Sequence, residues 1–277
     1  MMKNEIIMIG DGVYQIRYFW LGAANVYCYL IVGDKRALLI DTGYATTHAK
    51  EYVQSVSGLP VVLVNTHGHF DHIGGNFEYE EAYLSEKDVE IAKVHSERES
   101  LAKMLESAGN GRLLFKVLFS LPGIKRKIQE SLEIGEINWK TLPESGAFDL
   151  GGRKVSYFAV PGHTPGSICL FDDKTRFLFP GDMLCETGAL LGFDYSSTVT
   201  EFKTSILKMK KFSEDNHVSK VYPSHHLTPA TDEIFEKYMK LCDGIIDGTI
   251  KDRPYNDGLT SGYKAVNGDM SLIYRAI

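Results

Sequence analysis

"PVVLVNTHGHFDHIGG" occupies residues 60–75, and its two halves ask for different structures. Val61 to Val64 form a short apolar run of the kind that makes a strand buried on both faces. The second half carries His67, His69, Asp71 and His72 and closes on Gly74 and Gly75. In an extended loop, side chains two positions apart point to the same side, so His67 and His69 can approach one ion. Asp71 and His72 follow where the chain can turn into a helix, and they point elsewhere. Imidazole nitrogen and carboxylate oxygen are good ligands for zinc and similar divalent ions. The stretch is either a polar turn rich in histidine or one part of a metal site. Gly74 and Gly75 read as positions of close packing at a helix start, not as a phosphate loop.

If the stretch is part of a site, the rest must come from other strand ends. Three places qualify. "VPGHTPGS" sets His163 in a Pro/Gly loop, "FLFPGDML" sets Asp182 after an apolar run, and "VYPSHHLTP" sets His225 and His226 after another. Loops at strand ends are where a rigid scaffold presents functional groups. "LLIDTG" ends in the same way at Asp41. A lone histidine is more often structural or solvated, and His48, His95 and His217 keep that plain reading.

The ordered set His67, His69, Asp71, His72, then His163, Asp182 and His225 resembles the metallo-β-lactamase-fold hydrolase superfamily, in its hydroxyacylglutathione hydrolase-like and lactonase-like branches. The resemblance runs from about "NVYCYLIVG" to "VYPSHH". It implies that His67, His69 and His163 hold one metal ion. It likewise assigns a second ion to Asp71, His72 and His225, with Asp182 bridging the two. Zinc suits such a site, and manganese or iron compete for the same ligands. Asp71 would orient the attacking water or carry a proton. Asp41 would support a ligand histidine, as metal-bound imidazoles usually donate their free N–H to such a group. Histidine at position 69 favours hydrolysis, since the oxygen-reducing di-iron branch of the family has glutamate there. His225 stands two residues after Pro223, as the family pattern requires, which leaves His226 with the plain reading or, as the alternative, a place facing the pocket.

The pattern of elements agrees with this fold. Strands are expected at 5–9 and 13–20 around a "GDG" turn, then in "NVYCYLIVG", "RALLIDTG" and "PVVLVNTH". Helices are expected at 46–57, near 201–216 and at 231–247, and "MSLIYRAI" closes as a strand. The two halves share one grammar of strand hairpins, a strand ending in polar residues, and a helix. The expected fold class is α/β, a four-layer αββα sandwich of two facing mixed β-sheets with outer helices. Residues 1–277 read as one domain with a helical insertion at about 96–140. There "ESLAKMLES" is helical, "AGNG" breaks it, and the helical pattern resumes. The insertion is either a helical pair packed on a sheet edge or a lid over the site. In the second reading Leu113, Leu114, Phe115, Leu118 and Phe119 would cover the metals. The basic Lys125, Arg126 and Lys127 read as a solvated face.

Composition narrows the class further. The chain has 277 residues, is 44% hydrophobic and 24% charged, and carries a formal charge of −6. These are ordinary values for a globular protein, and the negative balance argues against duplex nucleic-acid binding. No run approaches the roughly 18 apolar residues that a membrane span needs. The start, interrupted by Glu5 and Gly10–Gly12, does not resemble a secretory signal. The four cysteines are widely spaced and form no CxxC pair, which suits a reduced cytoplasmic protein. The oligomeric state is open, a homodimer included.

The motifs set the reaction class and leave the substrate open. The expected activity is hydrolysis of a small ester, thioester or lactone by a metal-bridging hydroxide. A phosphodiesterase on the same two ions is the alternative, and a non-catalytic metal-binding protein is a third reading. Lactonases of the family have tyrosine three residues after the bridging aspartate, where this chain has Cys185. Glutathione-thioester hydrolases carry a basic carboxyl-terminal domain that "DEIFEKYMKLCDGIIDG" does not resemble. Tyr195 is a candidate either to aim its phenol at a substrate oxygen or simply to pack.

Overall fold

The computed structural model describes residues 4–19, 25–111 and 121–275, with the side chains of 108–111 and 127 outside that description. Leu113, Leu114, Phe115, Leu118 and Phe119 lie outside the described residues.

The first sheet follows chain order. It contains β1 (Glu5–Gly10), β2 (Val13–Tyr18), β3 (Val26–Val32), β4 (Ala37–Ile40), β5 (Val61–Val64), β6 (Ala82–Ser85) and β7 (Trp139–Leu142). The antiparallel hairpins β1–β2–β3–β4 give way to parallel pairing from β4 onward. Parallel strands need crossovers. These are helix α1 (Ala49–Val56) between β4 and β5, and the short α2 (Phe70–Ile73) between β5 and β6. Between β6 and β7 run α3 (Val89–Ser96), α4 (Arg98–Gly111) and α5 (Pro122–Ser131).

The second sheet contains β8 (Ser145–Asp149), β9 (Lys154–Ala159), β10 (Ile168–Asp172) and β11 (Phe177–Phe179). The next strand, β12 (Gly188–Leu191), leaves this sheet, and β13 (Lys220–Val221) returns to its edge beside β11. Helix α6 (Val199–Asp215) lies between them and starts with a capping box on Thr198 and Glu201.

Side-chain alternation explains how the two sheets stack. On β3, Tyr27, Tyr29 and Ile31 enter a core shared with Val155, Tyr157, Ile168, Leu170 and Phe179 of the facing sheet. The alternate residues Cys28 and Leu30 pack with Ala49 and Val53 of α1. On β10, Cys169 and Phe171 turn outward to Phe202, Ile206 and Met209 of α6. Strands buried on both faces read as continuous apolar runs, which is why "NVYCYLIV" has no polar alternation. The resulting order of layers is helix, sheet, sheet, helix, as the sequence pattern led us to expect.

Two features depart from the expectation. The helix expected to break at "AGNG" continues through it to Gly111. An interior glycine costs a helix only about 1 kcal/mol against alanine, which the rest of a fourteen-residue helix can absorb. The second departure is a further sheet. After helix α7 (Glu233–Ile246), the chain forms β14 (Asp252–Asn256), β15 (Ser261–Asn267) and β16 (Met270–Tyr274). These join β12 in the order β12–β16–β15–β14, with β12 and β16 parallel. Only the last of these strands was expected. Ala265, Leu272 and Tyr274 of this sheet pack into the same core as α6 and α7. Among the described residues, no helix is long and apolar enough to cross a membrane.

A buried ion pair locks the two large sheets together at the end away from the site residues. Arg153 Nε and Nη2 donate to the two oxygens of Asp172 at 2.6 Å each. Arg153 Nη1 also donates to the carbonyl oxygens of Asp11 and Val32. Burial alone would raise the Asp172 carboxyl, but Arg153 and the Thr175 hydroxyl and amide outweigh it and hold it below its ordinary value. The stabilisation is therefore complete above the unfolded pKa of about 4 and is lost as pH falls through the lower native value. Asp172→Asn, which leaves the guanidinium buried without a counter-charge, should cost about 3–5 kcal/mol near neutral pH. Urea denaturation measures this, and the gap to wild type should narrow once pH falls below about 4.

Candidate metal centre

Five loops reach one edge of the stacked sheets, each from the carboxyl end of a strand. Asp41 follows β4, the His67–His72 segment follows β5, His163 follows β9, Asp182 follows β11 and His225 follows β13. In α/β sheets this edge is where ligands bind. The change from strand to helix divides the opening motif. His69 is still extended, with φ −79° and ψ 149°, while Phe70 begins α2, so Asp71 and His72 turn to a different side.

The structure brings the seven metal-ligand candidates together. Nitrogen or oxygen atoms of His67, His69 and His163 lie within 4.8 Å of one another, as do those of His67, His72 and Asp182, and those of Asp71, His72 and His225. His226, the neighbour of His225, stays outside these groups. Its Nε2 accepts from the Glu186 amide at 2.9 Å, and its ring lines the cleft.

Each histidine in the cluster is anchored by its outward nitrogen. His163 Nδ1 donates to the Leu190 carbonyl at 2.6 Å, and His225 Nδ1 donates to the Asn25 carbonyl at 2.6 Å. His72 Nδ1 donates to Asp41 Oδ2 at 2.8 Å. Thr66 gives its hydroxyl proton to Asp41 Oδ2 at 2.8 Å, so its oxygen is left to accept from His67 Nδ1 at 3.0 Å. His69 faces outward through Nε2, 2.8 Å from the Tyr195 hydroxyl. A neutral imidazole has one N–H. With that proton committed outward, the inner nitrogen of a neutral ring carries only a lone pair. His69 Nδ1 lies 3.2 Å from His67 Nε2 and 3.0 Å from His163 Nε2. Three lone pairs at that separation repel unless a proton or cation lies among them.

The second part of the cluster has a different balance. His72 Nε2 and Asp182 Oδ1 are buried with no hydrogen-bond partner, though they lie 3.4 Å apart. His225 Nε2 is 3.1 Å from Asp182 Oδ2 and 3.5 Å from Asp71 Oδ2. Burial and the neighbouring imidazoles drive His67 and His69 well below the usual histidine value. Burial acts the same way on His72 and His225, but the carboxylates overcome it. Asp182, Asp41 and Asp71 raise His72, and Asp182 and Asp71 raise His225 to about 9. Asp182, despite its burial, is held well below the carboxylate range by His225 and His72. Unpartnered buried atoms, inner lone pairs and carboxylates on one side form a donor set that fits divalent cations.

Asp41 has the supporting position the sequence suggested. Besides His72 and the Thr66 hydroxyl, it accepts from the Thr66 amide at 2.8 Å. Its backbone is left-handed, with φ 60°, a conformation that non-glycine residues adopt where the surroundings enforce it. Tyr195 sits behind His69 rather than on the cleft wall, where it also approaches His95 Nε2 at 3.3 Å. Cys185 lines the cleft, and burial raises its thiol well above the usual value, as befits an inert thiol.

Several contributors gave no clear sequence signal. His95 stacks on His69 with ring centroids 4.6 Å apart, and burial lowers it to about 4. Asn65 Nδ2 donates to the His72 carbonyl at 3.0 Å and Thr42 hydrogen-bonds Asn76 behind it. Asp88, in "SEKDVEIAK", joins two loops of the site. Its carboxylate accepts from the Gly68 amide at 2.9 Å, the Thr164 hydroxyl at 2.6 Å and the Gly166 amide at 2.7 Å. A Cβ at Gly68 would meet backbone atoms of Asp88 and Ala92 at 2.9 and 3.0 Å, so this loop must carry glycine to lie so close to α3. Gly74 is closely packed as expected, with the Ala45 nitrogen 2.4 Å from where its Cβ would be, but it follows the carboxyl end of α2 instead of opening a helix.

The family model described as "Metallo-beta-lactamase superfamily" matches residues 21–225. The chain belongs to the metallo-β-lactamase superfamily. Among curated members, it is 27% identical over 243 residues to the human acyl-coenzyme A thioesterase MBLAC2, covering 82% of each chain. It is 26% identical to a hydroxyacylglutathione hydrolase of Pelagibacter ubique, covering 73% of this chain and 67% of that one. A metallo-β-lactamase from Pontibacter korlensis superposes with a TM-score of 0.60 at 17% identity, covering 87% of this chain and 99% of that one. An archaeal superfamily protein from Sulfolobus tokodaii gives 0.58 at 19% identity, covering 83% and 86%. The structural likenesses establish the fold, and the family makes this protein a hydrolase with a His/Asp cluster compatible with metal.

Asp88→Ala would leave two amides and a hydroxyl without their acceptor. It should lower unfolding stability by about 3 kcal/mol in chemical denaturation, against less than about 1 kcal/mol for an exposed acid such as Glu90→Ala.

Proposed function

We propose that this protein is a dinuclear metal-dependent thioesterase acting on small-molecule acyl thioesters. The observation that carries the reading is the convergence of inner histidine nitrogens without protons around His69 Nδ1, beside the unpartnered His72 Nε2 and Asp182 Oδ1. His67, His69 and His163 would hold one ion, and Asp71, His72 and His225 the other, with Asp182 shared. Zinc suits this nitrogen-rich set best. The thioester assignment is supported by two relatives that carry thioester-hydrolase names, the human acyl-coenzyme A thioesterase and the Pelagibacter hydroxyacylglutathione hydrolase.

Two divalent ions bound there would supply an activated water at neutral pH and polarise the thioester carbonyl. The chain's own residues do the rest. Asp71 is partly exposed at the cleft floor, where its carboxylate can take the proton of the attacking water and pass it to the departing sulfur. Phe70 and Phe193 line the cleft beside the cluster and keep bulk water from the reacting carbon. Asp41, Thr66 and Tyr195 hold ligand rings in position through hydrogen bonds. The four cysteines are free and buried, which suits a cytoplasmic setting.

Stripped protein reloaded with zinc should bind two equivalents by calorimetry and hydrolyse an acyl thioester faster than a p-nitrophenyl phosphodiester. Turnover of the phosphodiester alone would overturn the thioesterase reading. Asp182→Ala should leave no tightly held pair of ions. Tyr195→Phe keeps the ring but removes the outer partner of His69, and should weaken zinc affinity by about 10–100-fold. Competition with a chromogenic chelator measures both changes.

A further inference from the structure

The cleft over the cluster is about 630 Å³, within the size range of small-molecule sites. One of its walls lies largely beyond the family match, which ends at residue 225. That wall is the sheet of β12, β16, β15 and β14, of which only β12 falls within the match. The parallel register of β12 and β16 sets Gly188 beside Ser271 and Leu190 beside Ile273. These four residues share one face of the sheet and line the cleft. The alternate Leu191, Leu272 and Tyr274 are buried in the core with α6 and α7.

Leu259 extends the wall outward. It is 38% exposed, although apolar and on the cleft. Asp257 fixes the turn that carries it by accepting from the amides of Leu259 and Thr260 at 3.0 and 2.8 Å. From the opposite side, Met104 and Leu105 of α4 reach the same space. No lysine or arginine lines the cleft among the described residues. A carboxylate or phosphate on this wall would thus meet no counter-charge from the described residues, which a buried anion requires. An aliphatic chain would cover Leu190, Ile273 and Leu259 and gain from leaving water.

The wall is also joined to the cluster. Leu190 offers its carbonyl to His163 Nδ1 and its side chain to the cleft. One substituent of a carbonyl carbon held at the cluster would therefore start on this wall, and its apolar lining suits the acyl chain.

We infer that the carboxyl-terminal sheet and α4 form an acyl-chain subsite, which selects thioesters of medium-length uncharged aliphatic acids over acetyl thioesters and over acids with a second charge. This rests on the thioesterase reading above. The probes are acetyl, hexanoyl, decanoyl and succinyl thioesters of N-acetylcysteamine, a neutral thiol, with zinc-loaded full-length protein. Wild type should prefer decanoyl to acetyl by about tenfold or more in kcat/KM, with succinyl the poorest. Leu259→Asp, on an exposed turn, and Ile273→Trp, which fills the wall, should each reduce the decanoyl-to-acetyl ratio by about tenfold. A flat wild-type series, or an unchanged ratio in both variants, would overturn the subsite. If wild type hydrolyses none of the thioesters, the thioesterase reading falls. The subsite is then decided by calorimetry with decanoate, where weaker binding to Leu259→Asp supports it and equal binding overturns it.

Discussion

The site depends on where histidine protons are kept. Each of the five clustered imidazoles is tied through its outer nitrogen, to a carbonyl, a carboxylate or a hydroxyl. Those ties set tautomer and ring angle together. Around His69 Nδ1 they also leave the inner nitrogens of His67 and His163 facing it as acceptors, an arrangement that water-filled space would not need. Much of the surrounding fold serves these ties. Asp41 is bent into a left-handed backbone to reach Thr66 and His72, and Asp88 draws the loops of Gly68 and Gly166 against α3.

The two parts of the cluster differ electrically. Around His67 and His69 the neighbours are other imidazoles, and burial keeps the rings neutral. Around His72 and His225 the carboxylates of Asp182 and Asp71 make the rings hold protons more tightly. A cation entering the first part meets ready lone pairs. A cation entering the second must displace protons, so its binding is more sensitive to pH. One short motif, by switching from extended backbone to helix at Phe70, contributes to both environments.

The ligand candidates were legible because each group follows an apolar strand, with a Gly or Pro turn before His163, Asp182 and His225, so His67, His69, Asp71, His72, His163, Asp182 and His225 could be found in order. The layers were legible because runs such as "NVYCYLIV" lack the alternation of a half-exposed strand. Asp88 and His95 were not, since an acid before a helix and a histidine within one look like surface residues until the helix is packed on the site. The strands β14 and β15 were missed because "RPYNDGLTSGYKAVN" is polar along most of its length. Only the Asp-Gly turn, a hairpin signal, pointed to them. The helix through "AGNG" shows the reverse error, in which local breakers were outweighed by the helix around them.

The parallel pairing of β12 with β16 has a consequence for the order of assembly. Leu190 and Ile273 sit side by side, yet all of α6, β13, α7, β14 and β15 lies between them in the chain. During synthesis from the amino end, β12 emerges long before its partner. The carbonyl that orients His163 belongs to β12. Until β16 arrives, this carbonyl is carried by a strand without a neighbour, so the histidine set nears completion well before its geometry is secured. The last residue of the cluster, His225, thus precedes in the chain the strand that secures the Leu190 carbonyl and completes the cleft wall.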